Sequence, residues 1–289
     1  MIPGADQARP VVARTREELR HVLGTTPRPR GFVPTMGALH AGHVSLLRRA
    51  RDENATVVMS IFVNPTQFED ASDLAGYPRD LAADLAACRE AGVDIAFVPS
   101  VETIYPPGAS TTVDPGPVAR ILEGSSRSGH FAGVATVVSI LLGLVSPDRS
   151  YFGEKDAQQL VVVRRIVRDL ALPGTIVGCP TVREPDGLAM SSRNARLGPD
   201  DRAAAVVLHR ALLAARDAFA AGTTDADAMR ESMRAVVAAE PRATLDYASV
   251  ADPETLMEAH GPQAGPLLLS LAAVLGEVRL IDAETVAGA

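Results

Sequence analysis

The chain has 289 residues, 47% of them hydrophobic and 22% charged, which favours a globular protein with one large domain and a smaller one. Its net charge of −7 disfavours nucleic acid and anionic membranes as partners and suits small-molecule substrates. Cys88 and Cys179 lack Cys-x-x-Cys spacing, and the longest apolar runs are too short to span a bilayer, so we expect a cytoplasmic protein without a disulfide framework, zinc site or membrane segment.

Short β-branched segments alternate with helical-period segments through the first 180 residues, as in βαβ units around a parallel sheet. The predicted strands are Gly31–Pro34, Thr56–Val63, Asp94–Val98, Ser150–Phe152 and Thr175–Gly178. The predicted helices are Ala41–Asn54, Leu81–Ala91, Phe131–Val145 and Asp156–Leu170. Because Phe131–Val145 is apolar nearly all round, we expect it to be buried on most sides. The pattern predicts an α/β fold with a Rossmann-like, doubly wound parallel sheet.

The sequence pattern changes after about Thr181, where Ala-rich helical segments are followed by segments typical of antiparallel strands. The predicted helices here are Asp201–Ala221 and Ala226–Glu240, and the predicted strands are Thr244–Val250, Leu267–Leu275 and Glu277–Ile281. This order indicates a smaller α+β C-terminal domain. We therefore predict a catalytic domain over residues 1–181 and a lid domain over residues 182–289.

The most informative motif runs from Val33 to His43, from the end of a strand into a helix, where doubly wound sheets bind ligands. His40 and His43 share a helix face, the neighbouring glycines allow a close backbone approach, and a helix N-terminus presents unpaired N–H groups to phosphate. The histidines by themselves are equally consistent with a solvent-facing pair or with part of a metal site. The Gly-rich turn at a strand end favours a triphosphate.

Two further clusters carry phosphate-binding chemistry. In Phe152–Gln159, Lys155 falls at a helix start as a point charge, while Asp156 and Gln159 share one face; a capped helix with a solvated lysine is the alternative. In Gly187–Asn194, two hydroxyls and a guanidinium suit phosphate oxygens, although an isolated Ser-Ser-Arg is more often an ordinary turn. Val33–His43 and Phe152–Gln159 both lie at strand-to-helix connections, and together they favour a nucleotide site.

The His40-Ala-Gly-His43 sequence, with a later Ser/basic loop, resembles the nucleotidyltransferase superfamily that includes class I aminoacyl-tRNA synthetases. Within it, five segments together resemble the pantothenate synthetase family, densely over residues 30–198 and loosely beyond. The five segments are Pro34–His43, Phe62–Phe68, Tyr77–Arg79, Phe152–Asp156 and Val182–Asn194. The resemblance implies that (R)-pantoate attacks the α-phosphorus of Mg-ATP and that beta-alanine then attacks the pantoyl adenylate. It also implies a homodimer.

The resemblance implies roles for individual residues. The catalytic positions are His40, His43, Lys155 and Arg193, with His43 as proton donor. The ATP-binding positions are Met36, Gly37, Ala38, Leu39, His40, Ala41, Gly42, His43, Gly153, Glu154, Lys155, Asp156, Val182, Met190, Ser191, Ser192 and Arg193. The substrate-binding positions are Gln67, Gln159, Asn64, Tyr77, Arg127 and His130. Asp84 matches a position associated with Mg²⁺, although by itself it resembles a solvated helix aspartate.

The chain departs from the family pattern at three places, which leaves the pantoate affinity open. Asp80 replaces a usual threonine, Ser128-Gly129 replaces a Pro-x pair, and Ser139–Val145 replaces a Lys-Leu-Phe-Asn-like segment.

Two other functions remain open at this stage. A nucleotidyltransferase that moves AMP onto a phosphate acceptor would call for extra Arg or Lys where this chain has Gln67 and Gln159. A non-catalytic nucleotide-binding protein would be expected to lack one of the catalytic groups, all of which are present.

Overall fold

The computed structural model describes residues 9–68 and 74–287, and these form two compact units. The first unit contains the described residues up to Arg120, together with Gly124–Phe152 and Val162–Cys179. The second contains Ile121–Glu123, Gly153–Val161 and the described residues from Pro180 onward. Each unit consists of several separate chain segments, whereas the sequence predicts one boundary, between residues 181 and 182. The division into residues 1–181 and 182–289 therefore stays a prediction.

The sheet of the first unit has six strands and is doubly wound. The strands are β1 (Val11–Ala13), β2 (Arg30–Thr35), β3 (Thr56–Ile61), β4 (Ile95–Phe97), β5 (Arg149–Gly153) and β6 (Thr175–Cys179). Their order is β1-β4-β3-β2-β5-β6, and β2 pairs in parallel with both β3 and β5. The strand order therefore reverses between β2 and β5, which is where such sheets bind ligands beyond their carboxyl ends. The predicted fold class is confirmed.

Helices connect these strands in the sequence. They are α1 (Arg16–Leu23), α2 (Ala41–Glu53), α3 (Leu81–Glu90), α4 (Val101–Ile104), α5 (Glu123–Ser126), α6 (His130–Val145) and α7 (Ala157–Asp169). Short 3₁₀ helices lie at Pro65–Gln67, Pro117–Ala119 and Glu154–Asp156. As predicted, α6 is buried on most sides, with Phe131, Val134 and Leu142 in the core. No helix in the described part of the chain is long and apolar enough to cross a membrane.

The core of the first unit forms because apolar side chains of α2 and α3 pack on the buried central strands. Val33 of β2, Val57 and Met59 of β3, Leu47 of α2 and Cys88 of α3 belong to one buried cluster. Fully burying one such aliphatic side chain contributes roughly 1.5–3 kcal/mol. This packing fixes the edge of the sheet at which β2 and β5 end.

The second unit is an α+β layer with its own core. A 3₁₀ helix at Ser192–Arg196 precedes α8 (Pro199–Ala204), α9 (Val207–Ala220), α10 (Ala226–Ala238), β7 (Ala243–Ala251), β8 (Leu267–Leu275) and β9 (Val278–Val286). The three strands form an antiparallel sheet in chain order, and buried side chains of α9 and α10 pack with those of the strands.

The structure adds β1, α1, α4 and α5 to the predicted helices and strands, and it corrects two predicted elements. The start of α1 does carry a local signal, because Thr15 and Glu18 form a capping box there. The predicted helix Asp201–Ala221 is two helices, α8 and α9, and no Gly or Pro marks the break between them. The last strand runs on to Val286, because it pairs with β8 along its whole length, from Val278 opposite Leu275 to Val286 opposite Leu267.

Candidate active site

The loop between β2 and α2 is tight, and its backbone amides are paired within the protein. Gly37 donates its N–H to Thr35 Oγ1 at 3.2 Å, while Ala38 and Leu39 donate to the two carboxylate oxygens of Asp84 at 3.1 and 2.9 Å. Gly37 and Ala38 both have left-handed backbone conformations, with φ of 83° and 52°. The sequence predicts the glycine turn but gives no role to Thr35. Asp84, which by itself resembles a solvated helix aspartate and by resemblance matches a Mg²⁺ position, is buried.

The two histidines cap the start of α2, and this sets their tautomers. His40 is the N-cap residue, and the centroids of the His40 and His43 rings lie 4.1 Å apart. His40 Nδ1 accepts the N–H of Gly42 at 3.2 Å, and His43 Nδ1 accepts the N–H of His40 at 3.4 Å. A neutral imidazole whose Nδ1 accepts a hydrogen bond carries its proton on Nε2. Each neutral ring is therefore an N–H donor at Nε2.

These hydrogen bonds correct one expectation about the loop. The sequence predicts unpaired N–H groups at the start of α2, and this is wrong for Gly42, whose N–H is donated to His40 Nδ1. In the preceding turn, the amides of Gly37, Ala38 and Leu39 have acceptors within the chain as well. At these four positions the backbone offers no N–H to a phosphate. The histidine rings are the donors that this connection supplies.

A second group of predicted residues meets around Gln67, in the 3₁₀ turn after β3. Asn64 Nδ2 donates to Gln67 Oε1 at 2.9 Å and to the carbonyl of Gly133 at 3.3 Å. Asn64 Oδ1 accepts the hydroxyl of Tyr105 at 2.9 Å and both the N–H and the hydroxyl of Thr66. With Oε1 held in this way, Gln67 Nε2 has no acceptor among the described residues. The amide of Gln67 is thus oriented with its donor end available.

Arg127 and His130 lie against the backbone of the same turn. His130 Nδ1 and the Gln67 carbonyl oxygen are 2.9 Å apart, and Arg127 Nη2 donates to the same oxygen at 3.3 Å. Tyr77 instead packs edge-on against Phe68, with ring centroids 5.7 Å apart. The structure therefore brings Asn64, Gln67, Arg127 and His130 into one cluster. Sequence reasoning gave no role to Tyr105, which no motif marks, or to Thr66, which lies within the Phe62–Phe68 segment.

The connection after β5 carries Lys155, Asp156 and Gln159. Gly153 precedes the 3₁₀ turn Glu154–Asp156 without any side-chain cap, and Lys155 Nζ lies 3.5 Å from Asp156 Oδ1. The side chain of Gln159 makes no hydrogen bond within the described part of the chain. Lys155 is the only lysine among 28 Lys and Arg residues, a signal that the sequence analysis overlooked. Unlike the guanidinium of every arginine in the chain, its ammonium is a compact point charge.

The third predicted segment folds into a hairpin followed by a 3₁₀ helix. Met190 donates its N–H to the carbonyl of Val182 at 3.0 Å, so these two predicted ATP-site residues are adjacent. Ser191 caps the 3₁₀ helix Ser192–Arg196 by accepting the N–H of Arg193 at 3.3 Å. Among the described residues, the Arg193 guanidinium has no hydrogen-bond or ion-pair partner.

Lys155 and Ser191 line one small pocket of the second unit together with Asn194 and Asp282. Asn194 Nδ2 donates to the Ala189 carbonyl at 3.0 Å, whereas its Oδ1 is buried without a donor among the described residues. The structure therefore unites two of the predicted phosphate-binding positions and adds Asn194, which the sequence analysis quoted only as the end of the motif.

The departures from the family pattern have local explanations. Asp80 is the N-cap of α3 and accepts the N–H of Ala83 at 3.0 Å, a role that threonine also fills. Gly129 precedes α6 with φ of 77°, a left-handed conformation that suits glycine. Ser139 lies within α6, and its buried hydroxyl has no partner in the described part of the chain.

The doubly wound sheet, with polar connections after the two strands at its switch point, defines an α/β enzyme class that binds small ligands at the carboxyl ends of its strands. The sequence profile of the pantoate-beta-alanine ligase family matches residues 11–285. The chain therefore belongs to the pantoate-beta-alanine ligase family, and its activity is the ligation of pantoate to beta-alanine. The predicted ligase function is confirmed over the two alternatives.

Relatives over nearly the whole length support this family. A pantothenate synthetase of Roseiflexus sp. (strain RS-1) is 55% identical over 271 residues, which are 94% of this chain and 97% of the relative. The crystal structure of pantothenate synthetase from Thermus thermophilus has a TM-score of 0.89 and 48% identity, and the match covers 95% of this chain and 98% of that one. The pantoate-beta-alanine ligase of Francisella tularensis, complexed with beta-gamma ATP and beta-alanine, has a TM-score of 0.78 and 35% identity over 95% of this chain and 97% of its own.

Proposed function

We propose that this ligase acts in two steps through a pantoyl adenylate. A carboxylate oxygen of (R)-pantoate attacks the α-phosphorus of ATP, and the bond from that phosphorus to pyrophosphate breaks. The amine nitrogen of beta-alanine then attacks the acyl carbon, AMP leaves with the electron pair of the C–O bond, and the amine loses a proton. The Francisella tularensis complex with beta-gamma ATP and beta-alanine supports these two substrates.

The capped histidine pair is the observation that carries this proposal. Transfer of the adenylyl group needs positioning and the neutralisation of growing negative charge, rather than a covalent enzyme group. His40 and His43 both accept at Nδ1, so each neutral ring donates from Nε2. We assign these two N–H groups to the phosphate oxygens of ATP, with His43 as the proton donor to the departing pyrophosphate.

Lys155, Ser191, Ser192 and Arg193 supply positive charge and hydroxyl donors to the phosphates. The support is chemical: a lone ammonium among arginines, a guanidinium without a protein partner among the described residues, and hydroxyl groups beside it. The remaining predicted ATP positions, Met36–His43, Gly153, Glu154, Asp156, Val182 and Met190, stay assigned to this ligand.

Gln67 and Gln159 are assigned to pantoate. A carboxamide donates to a carboxylate or hydroxyl oxygen through Nε2, and the hydrogen bond from Asn64 leaves Gln67 oriented for this. Gln159 has no hydrogen bond of its own among the described residues, so its amide is available. We assign Asn64, Arg127 and His130 to holding the Gln67 turn, and Tyr77 to the wall near it.

Mg²⁺ is proposed to arrive with ATP. In residues 9–68 and 74–287, no three His, Cys, Asp or Glu side chains come together as a metal-binding group. Mg²⁺ binds largely through substrate phosphates, so a phosphate-borne ion fits this donor set. Asp84 is the one carboxylate assigned from sequence, and its two oxygens already accept the N–H groups of Ala38 and Leu39. When bound, the ion neutralises phosphate charge; positioning the phosphates falls to the side chains named above.

We also propose that residues 1–181 act as the catalytic domain and residues 182–289 as a lid, and that the enzyme is a cytoplasmic homodimer. The change in sequence pattern near Thr181 supports the two domains, the spacing of the two cysteines supports the cytoplasm, and the family resemblance supports the homodimer. Sedimentation equilibrium tests the last of them, since a dimer would have twice the mass of the 30.3 kDa chain. A monomer at the enzyme's working concentration would contradict it.

The experiment that tests the adenylate uses (R)-pantoate with ¹⁸O in its carboxylate. AMP and pyrophosphate should form with ATP, Mg²⁺, pantoate and beta-alanine, and not when acetate replaces pantoate. One ¹⁸O should appear in the phosphate of AMP, because the attacking oxygen stays on phosphorus when the amine displaces AMP. Pantothenate formed together with unlabelled AMP would contradict the adenylate and leave the ligase activity intact.

A further inference from the structure

Asp84 is a buried carboxylate whose charge is met by backbone amides. It lies on α3, is 4% exposed, and accepts the N–H of Ala38 at 3.1 Å and of Leu39 at 2.9 Å. No ion pair with Lys, Arg or His is seen for it in the described part of the chain. A buried charge is tolerated when hydrogen bonds replace its lost water, and a carboxylate prefers N–H donors. Asp84 is therefore tied to the loop before His40, 46 residues away from Ala38 in the sequence.

The loop before His40 has an unfavourable backbone conformation that must be held by other residues. Gly37 and Ala38 follow each other in the left-handed region, with φ of 83° and 52°, and alanine rarely adopts this conformation unless the surroundings impose it. The contact is close: a side chain added at Gly37 would place Cβ 2.7 Å from Asp84 Oδ2. Thr35 Oγ1 holds the N–H of Gly37 in the same turn. Three successive amides thus point into the protein.

This inward turn determines where His40 enters α2. With the amides of Ala38 and Leu39 fixed on Asp84, His40 follows directly as the extended N-cap residue, with φ of −126° and ψ of 175°. Its ring then accepts the N–H of Gly42, and its own N–H is donated to His43. The orientation of both rings follows from the path of the loop, and the path of the loop follows from Asp84.

We propose that Asp84 is a positioning residue of the ligase: its carboxylate anchors the amides of Ala38 and Leu39 and thereby holds the His40 and His43 rings in register for the phosphates. The proposal rests on the function proposed above for the two histidines. It gives Asp84 a role different from the magnesium site assigned from sequence. Because both of its oxygens already hold N–H groups, the role follows from contacts that the folded chain itself makes.

The test compares Asp84→Asn with Asp80→Asn. Both changes remove one carboxylate charge from the start of α3, but Asn at position 80 still caps the helix. Ala38 and Leu39 bond different oxygens of Asp84, and Asn at position 84 has an NH₂ group in place of one of them. In the same side-chain conformation, one of the two amides therefore faces a donor and loses its acceptor. Residue-resolved amide exchange of Ala38 and Leu39 is measured by NMR, together with AMP formation over a range of Mg²⁺ concentrations.

We expect Asp84→Asn to raise the exchange rate of at least one of the two amides tenfold or more and to lower kcat for AMP formation about 100-fold. The Mg²⁺ concentration for half-maximal rate should stay within twofold of wild type, and Asp80→Asn should match wild type throughout. Unchanged amide exchange would overturn the proposal. Activity restored by excess Mg²⁺ would also overturn it, in favour of a metal ligand.

A second variant covers the case in which Asp84→Asn does not fold. Gly37→Ala leaves Asp84 unchanged but places a Cβ atom too close to its carboxylate, which must then move away from the loop. We expect the same faster exchange at Ala38 and Leu39, and an unchanged Mg²⁺ dependence. Slow exchange in Gly37→Ala would contradict the anchor. If the wild-type enzyme failed to form AMP from pantoate, the proposed function would fail, while the amide exchange would still decide whether Asp84 holds the loop.

Discussion

The two strand-to-helix connections at the switch point of the sheet, after β2 and after β5, differ in how their backbones are held. In the first, Thr35, Asp84 and His40 accept the amides of the turn, and a Cβ at Gly37 would clash with a carboxylate. In the second, Gly153 precedes a 3₁₀ turn without a side-chain cap, and a Cβ at Gly153 would meet nothing within 4 Å.

The difference concerns what each connection can present to a ligand. A closed turn fixes short, rigid rings, so the first connection can hold His40 and His43 in one geometry. The second connection is an open turn that carries Lys155. Because the lysine side chain is long and flexible, it can place a positive charge near a ligand, but with less fixed geometry. We infer that the first connection sets geometry and that the second supplies charge.

Replacing His43 should give the largest effect and tests the first half of this comparison. His43→Ala removes the proton donor and one phosphate contact, and we expect kcat for adenylate formation to fall about 10³-fold. Single-turnover release of pyrophosphate measures this step. The control is His21→Ala, at an exposed position on α1, which should turn over normally. A His43→Ala enzyme with wild-type turnover would remove the ring from the mechanism.

Alanine at the two glycines compares the two turns directly. Gly37→Ala meets Asp84 Oδ2 at 2.7 Å and places Cβ on a left-handed residue, so it should lower the free energy of unfolding by about 2–4 kcal/mol. Gly153→Ala has φ of −74° and open space, so its effect should stay within about 0.5 kcal/mol. Urea unfolding followed by circular dichroism gives both values. Equal losses would show that the two turns are equally closed.

Exchanging Lys155 for Arg tests the second half of the comparison. The chain uses arginine at every other basic position, and a guanidinium is larger and planar, so we expect Lys155→Arg to lose a charge-assisted contact and lower kcat/KM for ATP roughly 10–100-fold. Arg164→Lys, the reverse exchange at an exposed position of α7, serves as the matched control and should leave kcat/KM unchanged. Wild-type kinetics in Lys155→Arg would mean that only the charge matters.

The smallest effect is expected in the turn after β3, which resembles the connection after β2 in being closed by side chains. Tyr105→Phe removes one of three hydrogen bonds to Asn64 Oδ1 and should loosen the amide of Gln67 slightly. One lost hydrogen bond of about 1 kcal/mol predicts a rise in KM for pantoate of roughly fivefold, with kcat nearly constant. A fall in kcat without a change in KM would place Tyr105 outside pantoate binding.

Much of the fold could be predicted from the sequence because hydrophobic periodicity and Gly or Pro boundaries are local signals. The strand Leu267–Leu275 was predicted with its observed ends, and α2, α6 and α10 lie within two residues of prediction. The break between α8 and α9 could not be foreseen, since Ala205 and Val206 keep right-handed helical angles and no residue type marks it.

The candidate site was predictable only where its chemistry lies in short motifs. His40, His43 and Lys155 stand in such motifs, and their residue types indicate phosphate chemistry. Asp84 and Tyr105 act on residues more than forty positions away, so nothing in their own neighbourhood indicates what they hold. Which amides are already paired is likewise a property of the folded chain, and for that reason the expectation of an unpaired N–H was wrong at Gly42.

One ion pair in the second unit joins residues that are synthesised far apart in time, which affects the order in which this unit folds. Arg279 of β9 donates to both oxygens of Glu123 at 2.6 and 2.7 Å, across 156 residues of sequence, and the N–H of Glu123 is held by Gln158. During synthesis on a ribosome, Glu123 emerges long before its arginine. The segment Ile121–Glu123 therefore stays without its anchoring cation until β9 has left the exit tunnel, so this ion pair forms late in the folding of the second unit.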